Sequence, residues 1–352
     1  MDYNEKYMKR CLELAKQGLG NVAPNPMVGC VIVYDDRIIG EGYHIKCGEA
    51  HAEVNAINSV KDISLLTSST LYVNLEPCSH TGKTPPCTDL IIKNNIPHVV
   101  TGSKDTNTDV AGRGADKLRA AGIDVTEGIM DKENRELNRR FFTYHEKERP
   151  YIILKWAQTI DGFIDAERSA DESAEPLWIT NDLCRTVVHK WRSEEQAIMV
   201  GTNTAEKDDP QLNVRNWSGN DPLRLVLDRT LRLPEGLKLF DKSIPTIVFT
   251  EKKKKNEENL EYIRVDFNKD VIKEVLDELY KRQQQSVIVE GGTILMQSFI
   301  DNGLWDEIRL FIGNRFFGKG VRAPEFSADL VSEDELDGSK LFVFRNNDRF
   351  IA

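Results

Sequence analysis

The residues best equipped for chemistry are His51-Ala52-Glu53 and, further on, Pro77-Cys78-Ser79-His80-Thr81-Gly82-Lys83-Thr84-Pro85-Pro86-Cys87. One imidazole, His51, and two thiols, Cys78 and Cys87, can hold Zn²⁺ in three tetrahedral positions and leave the fourth open for water. Two thiolates cancel the metal charge, so the water needs a base. Glu53 stands two residues after His51, close enough to take that proton and pass it on. A closed structural site would want a fourth protein ligand, and no fourth thiol stands nearby in sequence. The chemistry implied is hydrolytic: water attacks an amino-bearing ring carbon and ammonia leaves. His80 is a further candidate imidazole; with His51 completing the ligand set, it reads as a substrate contact.

The surrounding pattern predicts elements that bring these groups together. Met8, Leu12, Ala15 and Leu19 recur at helical spacing between Asn4 and Leu19. Met27 to Tyr34 and Arg37 to Tyr43 read as a hairpin turning at Asp35-Asp36. A helix from His51 to Ser59, a strand from Thr70 to Leu75 and a helix from Cys87 to Asn95 follow. Both zinc-bearing helices then offer their N-termini to the site, which favours negative charge and a Cys87 thiolate. His98 to Thr101 and Asp124 to Glu127 read as strands, with a helix from Ala115 to Ala121 between them. The alternation predicts an α/β unit with helices on both faces of one sheet. A single charged helix from Asp131 to Lys147 closes it, and Pro150 marks a boundary, giving domains 1–147 and 150–352.

The chain has 352 residues and a net charge of -10, with a sequence pI near 5.3. Acidic charge argues against a nucleic-acid partner, because phosphate neutralisation needs a basic surface. Of six cysteines, Cys11, Cys30, Cys47 and Cys184 form no paired framework and read as reduced. No apolar run approaches a membrane span, and Met1 to Glu5 has neither a basic n-region nor an apolar h-region, so a soluble cytoplasmic protein is expected.

A second α/β pattern begins at Tyr151. Strands are predicted at Tyr151–Trp156, Ala197–Gly201, Leu223–Asp228, Thr246–Phe249, Ser286–Glu290 and Glu307–Ile312, with helices at Asp182–Trp191, Asp270–Arg282 and Thr293–Ile300. Asp165–Pro176 and Glu251–Glu258 read as loops. Glu290-Gly291-Gly292-Thr293 ends a strand and opens a helix, a place where phosphate can approach backbone N–H groups. By itself a Gly-Gly pair is no more than a turn. Two other clusters stand out: Lys155 to Gly162, and Gly201-Thr202-Asn203-Thr204 with Asp208-Asp209-Pro210. Arg192 and Arg215 could clamp a phosphate, and each could equally be a surface arginine.

Over nearly its whole length the chain resembles the bifunctional deaminase–reductases of riboflavin biosynthesis. The segments that carry the likeness are Pro24-Asn25-Pro26-Met27-Val28-Gly29, His51-Ala52-Glu53, Pro77 to Cys87, Lys155 to Gly162, Trp178-Ile179-Thr180, Val200 to Pro210 and Glu290-Gly291-Gly292. The Pro-Cys-x₈-Cys spacing is specific; tRNA and nucleoside deaminases use the shorter Pro-Cys-x-x-Cys. The resemblance implies an N-terminal cytidine-deaminase-like α/β/α sandwich and a C-terminal dihydrofolate-reductase-like α/β domain that uses NADPH. It assigns zinc to His51, Cys78 and Cys87 and proton transfer to Glu53. Asn25, His44, His80 and Lys83 would contact pyrimidine, ribose and phosphate. Ala157, Trp178, Thr204, Asp208 and the run Gly292, Thr293, Ile294, Leu295, Met296, Gln297 and Ser298 would contact NADPH. Arg192, Leu212, Arg215 and Glu290 would contact the ribosylamino-pyrimidine. Arg229 and Thr230 are offered as partners for the NADPH 2′-phosphate; Arg229 reads equally well as a solvated turn residue. A serine usual two residues before the tryptophan is Pro176 here. The expected partner is a pyrimidine ribose phosphate, not nucleic acid or a membrane, and a homo-oligomer, dimer or tetramer, is expected.

Overall fold

The computed structural model describes residues 5–80, 85–106, 112–167 and 177–346. The chain divides into two compact units, Met1–Glu148 and Arg149–Ala352.

The first unit runs α1 (Glu5–Ala15), β1 (Gly29–Tyr34), β2 (Arg37–Tyr43), α2 (Ala52–Ser59), β3 (Thr70–Leu75), α3 (Cys87–Lys93), β4 (His98–Ser103), α4 (Arg113–Ala120), β5 (Asp124–Thr126), α5 (Asp131–Leu137) and α6 (Arg139–Lys147). Its sheet has the order β2-β1-β3-β4-β5, with β3, β4 and β5 parallel and β1 antiparallel to both neighbours. Alternate residues of β1 face opposite sides. Val31 and Val33 meet Tyr7, Met8, Cys11 and Leu14 of α1. Cys30 and Ile32 meet Ala52, Ala56, Ile91 and Leu118 from α2, α3 and α4. Helices therefore cover both faces, and β1 is buried along all but its last residue. Gly29 lets α1 come close: a Cβ there would lie 2.1 Å from the Cys11 carbonyl oxygen.

The single helix predicted over Asp131–Lys147 is two helices. Asn138 breaks it, with φ -96° and ψ 24°. Its side chain accepts the Met27 N–H at 2.8 Å and donates to the Met27 carbonyl at 2.9 Å. Periodicity reads the apolar faces on either side but not this tertiary demand on one amide. The pairing secures the segment that carries Asn25.

The second unit runs β6 (Tyr151–Thr159), β7 (Phe163–Ala166), α7 (Asp182–Glu194), β8 (Ala197–Val200), α8 (Thr202–Asp208), β9 (Leu223–Leu227), β10 (Thr246–Thr250), β11 (Leu260–Arg264), α9 (Val271–Lys281), β12 (Ser286–Glu290), α10 (Thr293–Asp301), β13 (Glu307–Gly313), β14 (Gly320–Arg322), β15 (Asp329–Leu336) and β16 (Ser339–Arg345). Nine strands form one sheet in the order β11-β10-β9-β8-β12-β6-β13-β16-β15. It is parallel from β11 to β13 and antiparallel at β16 and β15. All six predicted strands are present. Of the additional ones, β7, β11 and β14 are short, β16 is an apolar run that the reading passed over, and β15 is Asp-Leu-Val-Ser-Glu-Asp-Glu-Leu and mostly exposed, so apolar patterning does not find it. Asp165 and Ala166, expected in a loop, end β7 and pair with β14; residues 168–176 of that loop lie outside the described residues. The core lies on both faces of the parallel strands, with Ile152, Leu154 and Trp156 on one side and Tyr151 and Ile153 on the other.

Asn138→Ala leaves the buried Met27 N–H without its acceptor. An unsatisfied buried donor costs ~1–3 kcal/mol, so thermal unfolding of the first unit should shift down by several degrees. An unchanged melting temperature would show that Met27 finds another acceptor.

Candidate active sites

Three elements of the first unit converge on one point. His51 is the N-cap of α2, Cys87 is the first residue of α3, and Cys78 follows β3 after Glu76-Pro77. One ligand atom from each lies within 4.8 Å of the others. His51 Nδ1 is 3.3 Å from Cys87 Sγ and 3.6 Å from Cys78 Sγ. Ligands at zinc–sulfur and zinc–nitrogen distances in a tetrahedron stand about 3.5 Å apart, so the donor set fits zinc in spacing as well as chemistry. Cys78 Sγ also accepts the Cys87 N–H at 3.3 Å. The Cys87 side chain, and after it His51, hold the Cys78 thiol well below its ordinary value, and its thiolate in turn pushes Cys87 up. Glu53 lies on the first turn of α2 and is buried. Burial first, then the Cys78 charge, push its carboxyl up to about 7, where it can accept and release a proton near neutrality.

His44 is only 3% exposed, and its ring stands edge-on to His51. A carbonyl can only accept, so His44 Nδ1 donates to Ala50 O at 3.1 Å. Burial keeps the ring neutral, leaving Nε2 to accept from Asn25 Nδ2 at 3.0 Å. Both ring nitrogens are thus occupied, and His44 orients Asn25, leaving Asn25 Oδ1 as an acceptor. His80 is exposed, and Lys83 lies outside the described residues. Sequence reasoning passed over Glu76. Its carboxylate accepts the N–H groups of Asp105, Gly112, Gly114 and Ala115 at 2.9–3.3 Å, tying the start of α4 to the segment that carries Cys78.

The second unit holds a cleft of about 940 Å³. Ala157, Trp178, Thr204, Asp208, Arg192, Leu212, Arg215 and Glu290 all line it, as do Gly292, Thr293, Ile294, Leu295 and Ser298. Gly291 and Gly292 have φ of 92° and 80°, and a Cβ on them would meet Thr204 at 2.9 and 3.2 Å. That close approach exposes backbone at the start of α10, as a dinucleotide phosphate requires. Two residues of the expected run do not line the cleft. Met296 is fully buried in the core, and Gln297 is turned to Asp301 and the Glu325 carbonyl. Only one face of a helix can serve the cleft. Arg229 and Thr230 also stand outside the lining. Arg229 pairs with Glu251 at 3.0 Å, whereas Arg232, held by Glu206 and Asn203, does line the cleft. Pro176 lies outside the described residues.

Glu290 is buried at the end of β12, where Arg192 meets it through two hydrogen bonds of 3.1 and 2.7 Å. Burial alone would push the Glu290 carboxyl up. The Arg192 and Lys155 charges outweigh it and hold Glu290 at about 2. Burial pulls the Lys155 ammonium down, and Glu290 opposes that. Lys155 carried no assigned role, although one lysine inside Tyr-Ile-Ile-Leu-Lys-Trp-Ala is the signal of a buried charge with a task.

Residues 1–103 match the cytidine and deoxycytidylate deaminase zinc-binding region, and residues 150–336 match the RibD C-terminal domain. The riboflavin biosynthesis protein RibD of Aquifex aeolicus is 41% identical over 94% of this chain and 93% of its own length. The chain belongs to the RibD family. The Escherichia coli RibD is 36% identical over 91% of this chain and 90% of its own length. A Thermotoga maritima structure, a diaminohydroxyphosphoribosylaminopyrimidine deaminase/5-amino-6-(5-phosphoribosylamino)uracil reductase, superposes with a TM-score of 0.87 at 39% identity, covering 97% of this chain and 98% of that one. RibD of Acinetobacter baumannii superposes at 0.85 with 33% identity, covering 97% and 98% of the two chains.

In this RibD-family chain, His51→Ala, Cys78→Ala and Cys87→Ala should each lose zinc, because each removes one of three donors. Glu53→Ala should keep it. Metal analysis of the purified variants checks both; loss of zinc from the Glu53 variant would make Glu53 a ligand and not a proton carrier.

Proposed function

We infer that the chain is a bifunctional enzyme of riboflavin biosynthesis. It deaminates 2,5-diamino-6-ribosylamino-4(3H)-pyrimidinone 5′-phosphate and then reduces the ribose of the product to a ribityl chain, giving 5-amino-6-ribitylamino-uracil 5′-phosphate. The observation that carries this reading is the presence of both chemistries on one chain: the His51, Cys78 and Cys87 donor set beside a buried Glu53 in one unit, and the Gly291-Gly292 cleft in the other. Among the described residues no helix is long and apolar enough to cross a membrane, in keeping with a small-molecule enzyme.

In the first unit, zinc held by His51, Cys78 and Cys87 supplies the Lewis acidity that makes water nucleophilic at neutral pH. Glu53 carries protons from the attacking water: one ends on the departing amine, which leaves as ammonia, and the other on the neighbouring ring nitrogen as the new carbonyl forms, so both water protons are accounted for. Asn25, oriented by His44, offers its Oδ1 to the pyrimidine. His80 and Lys83 belong to the same substrate site in this proposal.

In the second unit, NADPH supplies the two electrons of the reduction. Thr204 and the backbone of Gly291-Gly292 cradle the cofactor, and Ala157, Trp178, Asp208 and the cleft face of α10 border it. Leu212 and the Arg192–Glu290 pair shape the substrate end. The protein here positions one reactant against the other and keeps charge in place. The assignment of residues 1–147 to deamination and 150–352 to reduction is part of the proposal, as are a homo-oligomer, dimer or tetramer, and a cytoplasmic location; light scattering tests the oligomer.

A coupled assay with the authentic substrate decides the function: ammonia release followed by NADPH oxidation. Glu53→Ala should lower ammonia release by roughly 10²- to 10⁴-fold. Chelation of zinc should stop ammonia release and leave NADPH oxidation intact when the deaminated compound is supplied. A reduction that needed zinc would overturn the division of labour.

A further inference from the structure

The carboxyl end of β3 carries more than a metal ligand. Cys78 leaves the strand behind Glu76 and Pro77, and Glu76 is buried. The two oxygens of its carboxylate serve two places. Oε1 accepts the N–H groups of Gly114 and Ala115 at 2.9 and 3.2 Å, in the first turn of α4. Oε2 accepts those of Gly112 and Asp105 at 3.0 and 3.3 Å. Gly112 is the N-cap of α4 and has no side chain with which to cap it. A carboxylate brought from another element therefore fills the place of a helix cap, where the dipole and the unpaired N–H groups favour negative charge.

What stands next to Glu76 gives this tie a task. The Glu76 N–H donates to the Ser103 carbonyl at 3.0 Å, so backbone and side chain of one residue are held from β4 and from α4 at once. Pro77 follows, with its φ fixed by the ring. Helix α4 also presses on Pro77 directly: a Cβ on Gly114 would lie 2.1 Å from the Pro77 carbonyl oxygen. Cys78 comes next, and its carbonyl accepts the Thr88 N–H of α3 at 3.2 Å. Leu118 of α4 and Ile91 of α3 share one core cluster. Helix α4 supplies none of the three zinc donors, yet it bears on both thiols. It reaches Cys78 through Glu76 and Pro77, and Cys87 through its packing with α3.

Building on the zinc reading of the first unit, we propose that Glu76 is a positioning residue for the metal centre. Its carboxylate, seated among four N–H groups around the start of α4, fixes the Glu76-Pro77-Cys78 segment so that the Cys78 sulfur stands at ligand distance from His51 and Cys87. Glutamine is a poor replacement. One end of an amide is an NH₂ group, so in either orientation two of the four N–H groups would face a donor instead of an acceptor. The effect falls on zinc affinity and not on the chemical step.

The test measures the zinc dissociation constant of the full-length protein by competition with a chromophoric chelator. Glu76→Gln should weaken zinc about ten- to a hundredfold, the range for groups that orient metal ligands from behind. Glu76→Asp, which keeps the charge with a shorter reach, should fall between, and it carries the comparison if the glutamine variant does not fold. Asn138→Ala is the control for lost stability: it removes a buried acceptor elsewhere in the same unit and should keep the wild-type zinc affinity. With cobalt(II) in place of zinc, the thiolate-to-metal absorption should be weaker or shifted in Glu76→Gln and unchanged in Asn138→Ala. Excess zinc should restore most of the ammonia release of Glu76→Gln and none of that of Glu53→Ala. Wild-type zinc affinity and cobalt absorption in Glu76→Gln, or an equal loss of affinity in Asn138→Ala, would reduce Glu76 to a stabilising tie and overturn the proposal. Ammonia release that excess zinc failed to restore would place Glu76 in the chemistry and overturn it too. Wild-type protein that bound no zinc would instead defeat the metal reading on which the proposal rests.

Discussion

Two thiols and an imidazole packed within 4.8 Å of one another hold together only if their charge is taken up. In this fold the Cys87 N–H and the His51 ring both reach Cys78 Sγ, so a thiolate is stabilised there by the protein itself. The rest of the first unit follows from that constraint. Strand β3 must deliver Cys78 at its carboxyl end, α2 must start at His51, and α3 must start at Cys87. Residues 36 apart along the chain thereby become neighbours. The helices that bring them pack their apolar faces on β1 and β3, so the site and the core are built by the same contacts.

The second unit solves a related problem with opposite sign. Its cleft gathers Lys155, Arg192 and Arg215 near one buried carboxylate, Glu290. Arg192 satisfies Glu290 in a two-bond grip, and a buried ion pair holds only when its hydrogen bonds are met. The same economy appears in β9. Arg224 is fully buried but donates to Thr246, Asp241 and the carbonyls of Lys238 and Ile244, so its charge is spent on tying loops together. Both arginines show that a basic residue in this chain is read by its partners and not by its type.

Much of this was legible beforehand. The strands of the parallel layer announce themselves as apolar runs, and Ser286–Glu290 and Thr70–Leu75 fall where patterning puts them. The zinc donors are legible because few other demands place His-x-Glu before Pro-Cys. What patterning missed is polar or local: β15 at the sheet edge, the break at Asn138, and the half-buried Lys155. Each obeys a neighbour distant in sequence. Helical phase likewise divides the run Gly292 to Ser298, since Met296 must fill the core while Thr293 and Ser298 border the cleft.

The sequence alone determined the class of each unit and the family, and it singled out the candidate metal donors and the candidate proton carrier, because residue type and spacing are local properties that survive without coordinates. Tertiary structure decided which charges are free. That Arg192 is neutralised by Glu290 while Arg215 is not, that Arg229 answers Glu251 while Arg232 borders the cleft, and that His44 joins Asn25 to the Ala50 carbonyl through its two nitrogens are facts of pairing. Pairing depends on which groups share a low-dielectric neighbourhood, and only the folded chain brings those groups within hydrogen-bond reach.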